Sequence, residues 1–287
     1  MPSRIATESK RQAMDWSLAL VSQGIECIID QGEETGWCLI VDEDDHERAL
    51  GIIQQYQLEN FRWPWQQKIF RQEISFDWGS LAWVILMCLF FWLSERSVNF
   101  RDAGVMNSEA VSHGEWWRLF TAVSLHADAG HLASNAGIGF VLLGLAMGRF
   151  GTGVGLLSAY LAGAGGNVAS WLLYPHSHQS LGASGMVMGC LGLLAAQSVS
   201  WLKRDANSLK SVVAGLTGGL MLFVLMGLSP GTDVAAHFGG FLAGVVLGAM
   251  LAFAPRLGRS TLANILAGAL FSVLVIVPWW LASCARR

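Results

Sequence analysis

Ser180-Leu181-Gly182-Ala183-Ser184-Gly185-Met186-Val187-Met188-Gly189 sets a serine between glycines at the head of an apolar run. Small residues and serines are common where membrane helices touch, and serine can bond back to its own helix, so Gly-x-Ser-Gly alone is compatible with plain packing. The same hydroxyl at a helix mouth is also where a nucleophile would sit. A second stretch, Ala236-His237-Phe238-Gly239-Gly240-Phe241-Leu242-Ala243-Gly244, places a single histidine near the start of another apolar run. An ionisable side chain inside a bilayer is costly, which makes this histidine a functional candidate.

The surrounding composition decides the solvent. With 53% hydrophobic and only 14% charged residues, 33 glycines and 13 tryptophans in 287 residues, most of the chain belongs in a membrane. The net charge of −3 and the lack of any basic run argue against a nucleic-acid partner. Cys27, Cys38, Cys88, Cys190 and Cys284 show no Cys-x-x-Cys spacing and read as small apolar fillers. The first thirty residues carry no apolar core followed by a cleavage site, so no removable signal peptide is expected and the amino terminus should stay cytoplasmic.

Residues 1–60 read as a small soluble α+β domain. Residues 1–12 are polar and expected to fray. A helix over 14–21, strands over 25–29 and 37–41, and a second helix carrying Ala49, Ile52, Ile53 and Tyr56 on one face should follow. So small a unit is marginal alone. No catalytic cluster lies in it, and His46, among acids, reads as a solvated surface residue. Residues 61–75 form an interfacial linker, with Phe61-Arg62-Trp63-Pro64-Trp65, Lys68 and Arg71 suited to the cytoplasmic membrane surface.

Seven apolar runs follow, about 76–93, 128–148, 152–174, 184–201, 209–228, 234–254 and 261–281, each near the ~20 residues a bilayer needs. Arg149, Lys203, Arg204, Lys210, Arg256 and Arg259 fall in loops that alternate onto the amino-terminal side. The positive-inside rule therefore puts the amino terminus in the cytoplasm, against the weaker counter-signal of Arg96, Arg101, Arg118 and the tail Arg286-Arg287. In that topology the second, fourth and sixth runs all travel inward from the outer face, and each starts with its polar residues: His126, His131 and Asn135, then Ser184, then His237. One shared depth across three helices is not what scattered packing residues would give. Gly185 and Gly189, and Gly240, Gly244 and Gly248, recur every four residues and offer smooth faces for close approach. Ser184 and His237 could then come within the ~2.6–3.2 Å of proton transfer. On the residues alone, a serine–histidine site and a packing role both stay open.

The chain resembles the rhomboid intramembrane serine proteases in four places. Gly182-Ala183-Ser184-Gly185 matches the nucleophile motif, and Ala236-His237 with Gly240 and Gly244 the base helix. Glu115-Trp116-Trp117-Arg118 matches the first-loop Trp-Arg motif, and His126, His131 and Asn135 the second-helix polar residues. The likeness covers about 76–254 in order and spacing. It implies an all-α polytopic membrane protein with a six-helix core, residues 76–254. To this are added the small amino-terminal domain and, over 255–287, a seventh helix and tail beyond the catalytic core. It implies a dyad of Ser184 as nucleophile and His237 as base, without an acid; Asp128 and Asp233 are better placed as helix caps. It further implies His131 and Asn135 as oxyanion donors with the Ser184 N–H, Gly182 as the point of close backbone approach, His126 as a structural hydrogen bonder, and Trp117-Arg118 as the anchor of the first loop. Where many members carry an aromatic residue four after the serine, this chain has Met188, able to contact the histidine ring through sulfur. His113, His176 and His178 lie in outer loops and read as exposed.

The resulting expectation is an intramembrane serine endopeptidase of the cell membrane, in the manner of a bacterial inner-membrane enzyme, acting on transmembrane protein substrates without metal or other cofactor. A non-proteolytic relative that only binds membrane proteins is the alternative. A transporter is disfavoured because the polar cluster lies near one face and no internal repeat is visible. A metal centre built from His126, His131, His237 and Asp128 is the remaining competitor.

Overall fold

The computed structural model describes residues 2–32, 36–59, 75–174, 177–197, 208–227 and 232–285. The chain divides into two units, Met1–Gln72 and Glu73–Arg287. The expected linker motif over 61–71, His176, and the basic residues Lys203, Arg204, Arg286 and Arg287 lie outside the described residues.

In the first unit, β1 (Pro2–Ala6), α1 (Lys10–Ser22), β2 (Cys27–Gly32), β3 (Gly36–Asp42) and α2 (His46–Glu59) form an antiparallel sheet of order β1-β3-β2 with two helices. The stretch expected to fray thus contributes a strand. Ile5 pairs with Leu39 and is buried, and this large apolar side chain in a mostly polar run is what the sheet recruits. Ser9 accepts from the Gln12 N–H and starts α1 earlier than its apolar spacing suggests. Ile5, Ala13, Leu20, Ile25, Leu39, Val41, Ala49 and Ile53 make the core, in line with the helical face expected for α2. His46 is not free in solvent: its Nδ1 lies 2.8 Å from the Ser3 hydroxyl.

The second unit is helical. In chain order it comprises α3 (Gly79–Arg96), α4 (Val98–Gly104), β4 (Met106–Asn107), α5 (Ser108–Ser112), α6 (Arg118–Thr121), α7 (Ala129–Phe150), α8 (Thr152–Leu173), β5 (Gln179–Ser180), α9 (Ser184–Ala196), α10 (Ser208–Gly227), α11 (Val234–Phe253), α12 (Pro255–Arg259) and α13 (Thr261–Cys284). Among the described residues, α3, α7, α8, α11 and α13 are long and apolar enough to cross a membrane. Their outward faces stay apolar, as with Leu81, Ile85 and Leu89 on α3 and Ile265, Leu266 and Ile276 on α13, which suits lipid and not water. The fourth apolar run, expected over 184–201, is helical over 13 residues among those described.

Glycine sets the centre of this unit. A Cβ on Gly240 would run into the Gly185 carbonyl, one on Gly244 into the Gly189 carbonyl, and one on Gly248 would lie 2.7 Å from the Leu193 oxygen. Helices α9 and α11 therefore lie backbone against backbone, as their four-residue glycine spacing predicts. Gly163 of α8 fits against Met186 of α9 in the same way, since a Cβ placed on it would lie 2.9 Å from the Met186 Cβ. The core around them is Trp83, Leu143, Met147, Tyr160, Met186, Val187, Met188, Leu193 and Phe241.

Candidate active site

Three helix starts meet at one end of this bundle. Asp128 caps α7, its carboxylate accepting the His131 N–H at 2.8 Å, and Asp233 caps α11, accepting the Ala236 N–H at 2.9 Å. Both carboxylates do what their sequence positions suggested. Helix α9 has Ala183 as its N-cap residue, so its first residue, the half-buried Ser184, starts the helix without a side-chain cap.

The approach to Ser184 is fixed by backbone. The Gly182 N–H donates to the Ala122 carbonyl at 3.0 Å, and the Ala183 N–H reaches His126 Nε2 at 3.5 Å. That makes His126, fully buried, a backbone tie for the residue before the serine. Gly182 has φ +135°, and a Cβ there would lie 2.7 Å from His131 Cε1 and 3.7 Å from Ser184 Oγ. Hence His131 and the serine hydroxyl flank the same glycine. His131 in turn packs edge-on against His126, ring centroids 5.3 Å apart.

One turn further along α7, Asn135 is buried, and among the described residues its Nδ2 has no hydrogen-bond partner. Gly139, four residues on and so on the same face, sits 3.2 Å from Val187 of α9 by its virtual Cβ. The face of α7 that carries His131 and Asn135 is thus the one turned toward the serine helix. From the other side, the Ala236 carbonyl lies 3.4 Å from a Cβ placed on Gly185, which sets His237, buried at 4% exposure, beside the first turn of α9. Met188 is buried in the core below.

The first loop is held from beneath. Arg118, nearly buried, donates through Nε to Glu115 at 2.5 Å and through one terminal nitrogen to the Asp102 and Val105 carbonyls at 2.8 and 2.7 Å. Trp117 Nε1 is buried with no partner among the described residues. Asn167 of α8, which nothing in the sequence singled out, donates to the Leu119 carbonyl at 2.7 Å and anchors the same loop. His178, expected to be exposed, is instead a half-buried partner of Asp233. Among the described residues, no three His, Cys, Asp or Glu side chains converge in a way that could hold a metal ion.

The family described as Rhomboid domain matches residues 113–254, which contain Arg118, His126, His131, Asn135, Ser184 and His237. Rhomboid protease GluP of Bacillus subtilis (strain 168) is 30% identical over 201 residues, covering 67% of this chain and 38% of its own length. RHOMBOID-like protein 5 of Arabidopsis thaliana is 32% identical over 165 residues, 55% of this chain and 51% of its own. Rhomboid-like protease 3 of Toxoplasma gondii is 32% identical over 197 residues, 64% of this chain and 72% of its own. The chain spans about half, or less, of the length of the first two of these relatives.

Proposed function

The chain belongs to the rhomboid family, and from that premise we propose that it is an intramembrane serine endopeptidase cutting other membrane proteins within or beside a transmembrane segment. It is a multi-pass membrane protein, with the amino terminus on the cytoplasmic side in this reading. Ser184 Oγ attacks the peptide carbonyl while His237 accepts its proton and returns it to the leaving amine. The oxygen that becomes negative takes hydrogen bonds from the Ser184 N–H, His131 and Asn135, donors fixed in advance and worth several kcal/mol in a water-poor site. Gly182 leaves room for substrate backbone beside the serine.

The observation that supports this most is the backbone-on-backbone contact of α9 and α11 at Gly185 and Gly240, one residue after Ser184 and three after His237. A merely structural serine and histidine would not need the two helix starts to be brought so near. The Asn135 Nδ2, without a partner among the described residues, adds to it, because a buried donor without an acceptor is costly unless something arrives to use it.

Two measurements test the proposal. Detergent-purified protein should be labelled at Ser184 by an active-site serine probe. Ser184→Ala and His237→Ala should each lose at least about a thousandfold of cleavage of a single-span substrate while remaining folded, as removal of a nucleophile or its base does elsewhere. A Ser184→Ala protein that cuts at the unaltered rate would remove the dyad, whereas an original protein that neither cuts the substrate nor takes the probe would favour a family member that binds without cutting.

A further inference from the structure

A helix cap needs one acceptor oxygen, and Asp233 Oδ1 supplies it to the Ala236 N–H. The second oxygen is engaged elsewhere. Asp233 Oδ2 accepts from Ser170 Oγ of α8 at 2.6 Å and lies 3.0 Å from His178 Nε2, on the loop between α8 and α9. Both side chains are largely out of solvent, at 12% exposure for Asp233 and 30% for His178. Burial alone would raise the Asp233 carboxyl pKa. The hydrogen bonds from Ser170, the Ala236 N–H, His178 and Ser180 outweigh that and hold it below the usual carboxylate range.

His178 is itself built in. Its ring lies against Tyr174, centroids 4.3 Å apart, and its carbonyl accepts from both the N–H and the hydroxyl of Ser108, at 3.0 and 3.2 Å. The next two residues pair with the first loop, Gln179 with Asn107 and Ser180 with Met106. Two residues later comes Gly182, and then Ser184. Asp233, in turn, stands one helical turn before His237, whose N–H it receives at 3.0 Å through its own carbonyl. A single carboxylate therefore joins the loop that delivers the serine to the turn that delivers the histidine.

We infer that Asp233 and His178 are positioning residues of the reaction, their pair holding Ser184 and His237 in mutual register from outside the reacting groups. The inference rests on the serine–histidine reading above. Its physical basis is that nucleophile and base sit on different helices, and a misplacement of about 1 Å between reacting groups can cost on the order of a hundredfold in rate.

The test uses the full chain in detergent with a single-span substrate and a serine probe. His178→Ala should lower turnover about tenfold with KM within about twofold, and slow Ser184 labelling in parallel, a fraction of the full cost of misalignment. His178→Gln, which keeps a donor at the reach of Nε2, should recover to within about threefold of the original protein. Asp233→Ser keeps the helix cap but drops the carboxylate's ties to Ser170, His178 and Ser180, and should cost at least as much as His178→Ala. Adding His178→Ala to it should cost less than about a further twofold, since the Asp233–His178 pair is already gone. If the original protein is active and labelled, while His178→Ala turns over at its rate or His178→Gln is as slow as His178→Ala, the positioning role is wrong. An original chain that neither cleaves nor takes the probe overturns the serine–histidine reading itself, and this inference with it.

Discussion

At Gly182 the backbone takes φ +135°, a region open to glycine and strained for other residues, and the space a Cβ would need is filled by the His131 ring. One residue thus decides how near His131 stands to the serine. If His131 and Asn135 donate to the developing oxyanion, their bonds strengthen only as charge forms. His131→Ala and Asn135→Ala should then lower kcat by roughly tenfold or more with KM little changed. Asn135 should be the milder loss, since the Ser184 N–H remains. Steady-state kinetics on one substrate reads this directly, and wild-type kcat in both variants would take the pair out of the site. The candidates Ser184, His237, His131 and Asn135 stood out in the sequence because each lies in the first two turns of an apolar run, so that a common depth could be expected of them. His178 and Asn167 did not. Their partners Asp233 and Leu119 are 55 and 48 residues away, and a histidine in a polar loop has the same local signature whether it is solvated or paired.

Among the elements, α13, read from the sequence as a helix beyond the catalytic core, is tied to the second unit at three points. Helix α8 begins after Gly151, which has no side chain to cap it, and Asn264 of α13 fills the role, accepting from the Gly153 and Val154 N–H groups at 2.9 and 3.2 Å. Pro278 has no N–H for the Leu274 carbonyl four residues back. That carbonyl is met instead by the Tyr160 hydroxyl of α8 at 3.3 Å, which also lies 3.1 Å from the Phe120 carbonyl. Trp279 then stacks on Phe100 of α4, centroids 4.2 Å apart and 6° from parallel, over the room left by Gly104. Three different chemistries key one helix to the unit. Trp279→Ala should therefore lower unfolding stability by about 2 kcal/mol, less than the ~3–5 of a fully buried aromatic. Asn264→Ala should cost about 1 kcal/mol as a lost cap. Trp280, 61% exposed on the same helix, is the control, and its alanine variant should change little. Equal losses at 279 and 280 in a detergent unfolding series would show that α13 is held by lipid-like burial alone. The helix itself was plain from its apolar run. Its docking was not, because a proline, a tryptophan and an asparagine in a membrane span are consistent with many partners. The strand β1 and the short helices α4, α5 and α6 were missed for a related reason: segments of 4 to 7 residues carry too few periods to read, and tertiary contacts fix them.

At the scale of the whole chain, the two units have cores that share no residue. One is built from Ile5 to Ile53 and the other from Trp83 to Phe241. All candidate catalytic groups belong to the second, so removing residues 1–60 should leave a cleaving protein. Where the proposed protease would cut follows from depth. Ser184 is the first residue of α9 and His237 the fourth of α11, and in the proposed orientation, with the amino terminus cytoplasmic, both helices would run inward from the outer face. The reacting bond is then held shallowly below the outer surface, where water can enter from one side. A regular substrate helix hides each carbonyl in its own hydrogen-bond ladder, and opening it in lipid leaves backbone groups unsatisfied at several kcal/mol each. Substrates that already carry Gly, Pro or polar residues near the outer end of their span have less to lose, and should be cut there in preference to uniform Leu-Ala spans. Mass spectrometry of products from a panel of single-span substrates, run with the full chain and with the chain lacking 1–60, measures both claims at once. Identical product masses mapping to the outer ends are expected. Cuts clustered at cytoplasmic ends would overturn the orientation or the dyad, and a truncated chain that is labelled at Ser184 yet yields no products would move substrate handling into the amino-terminal unit.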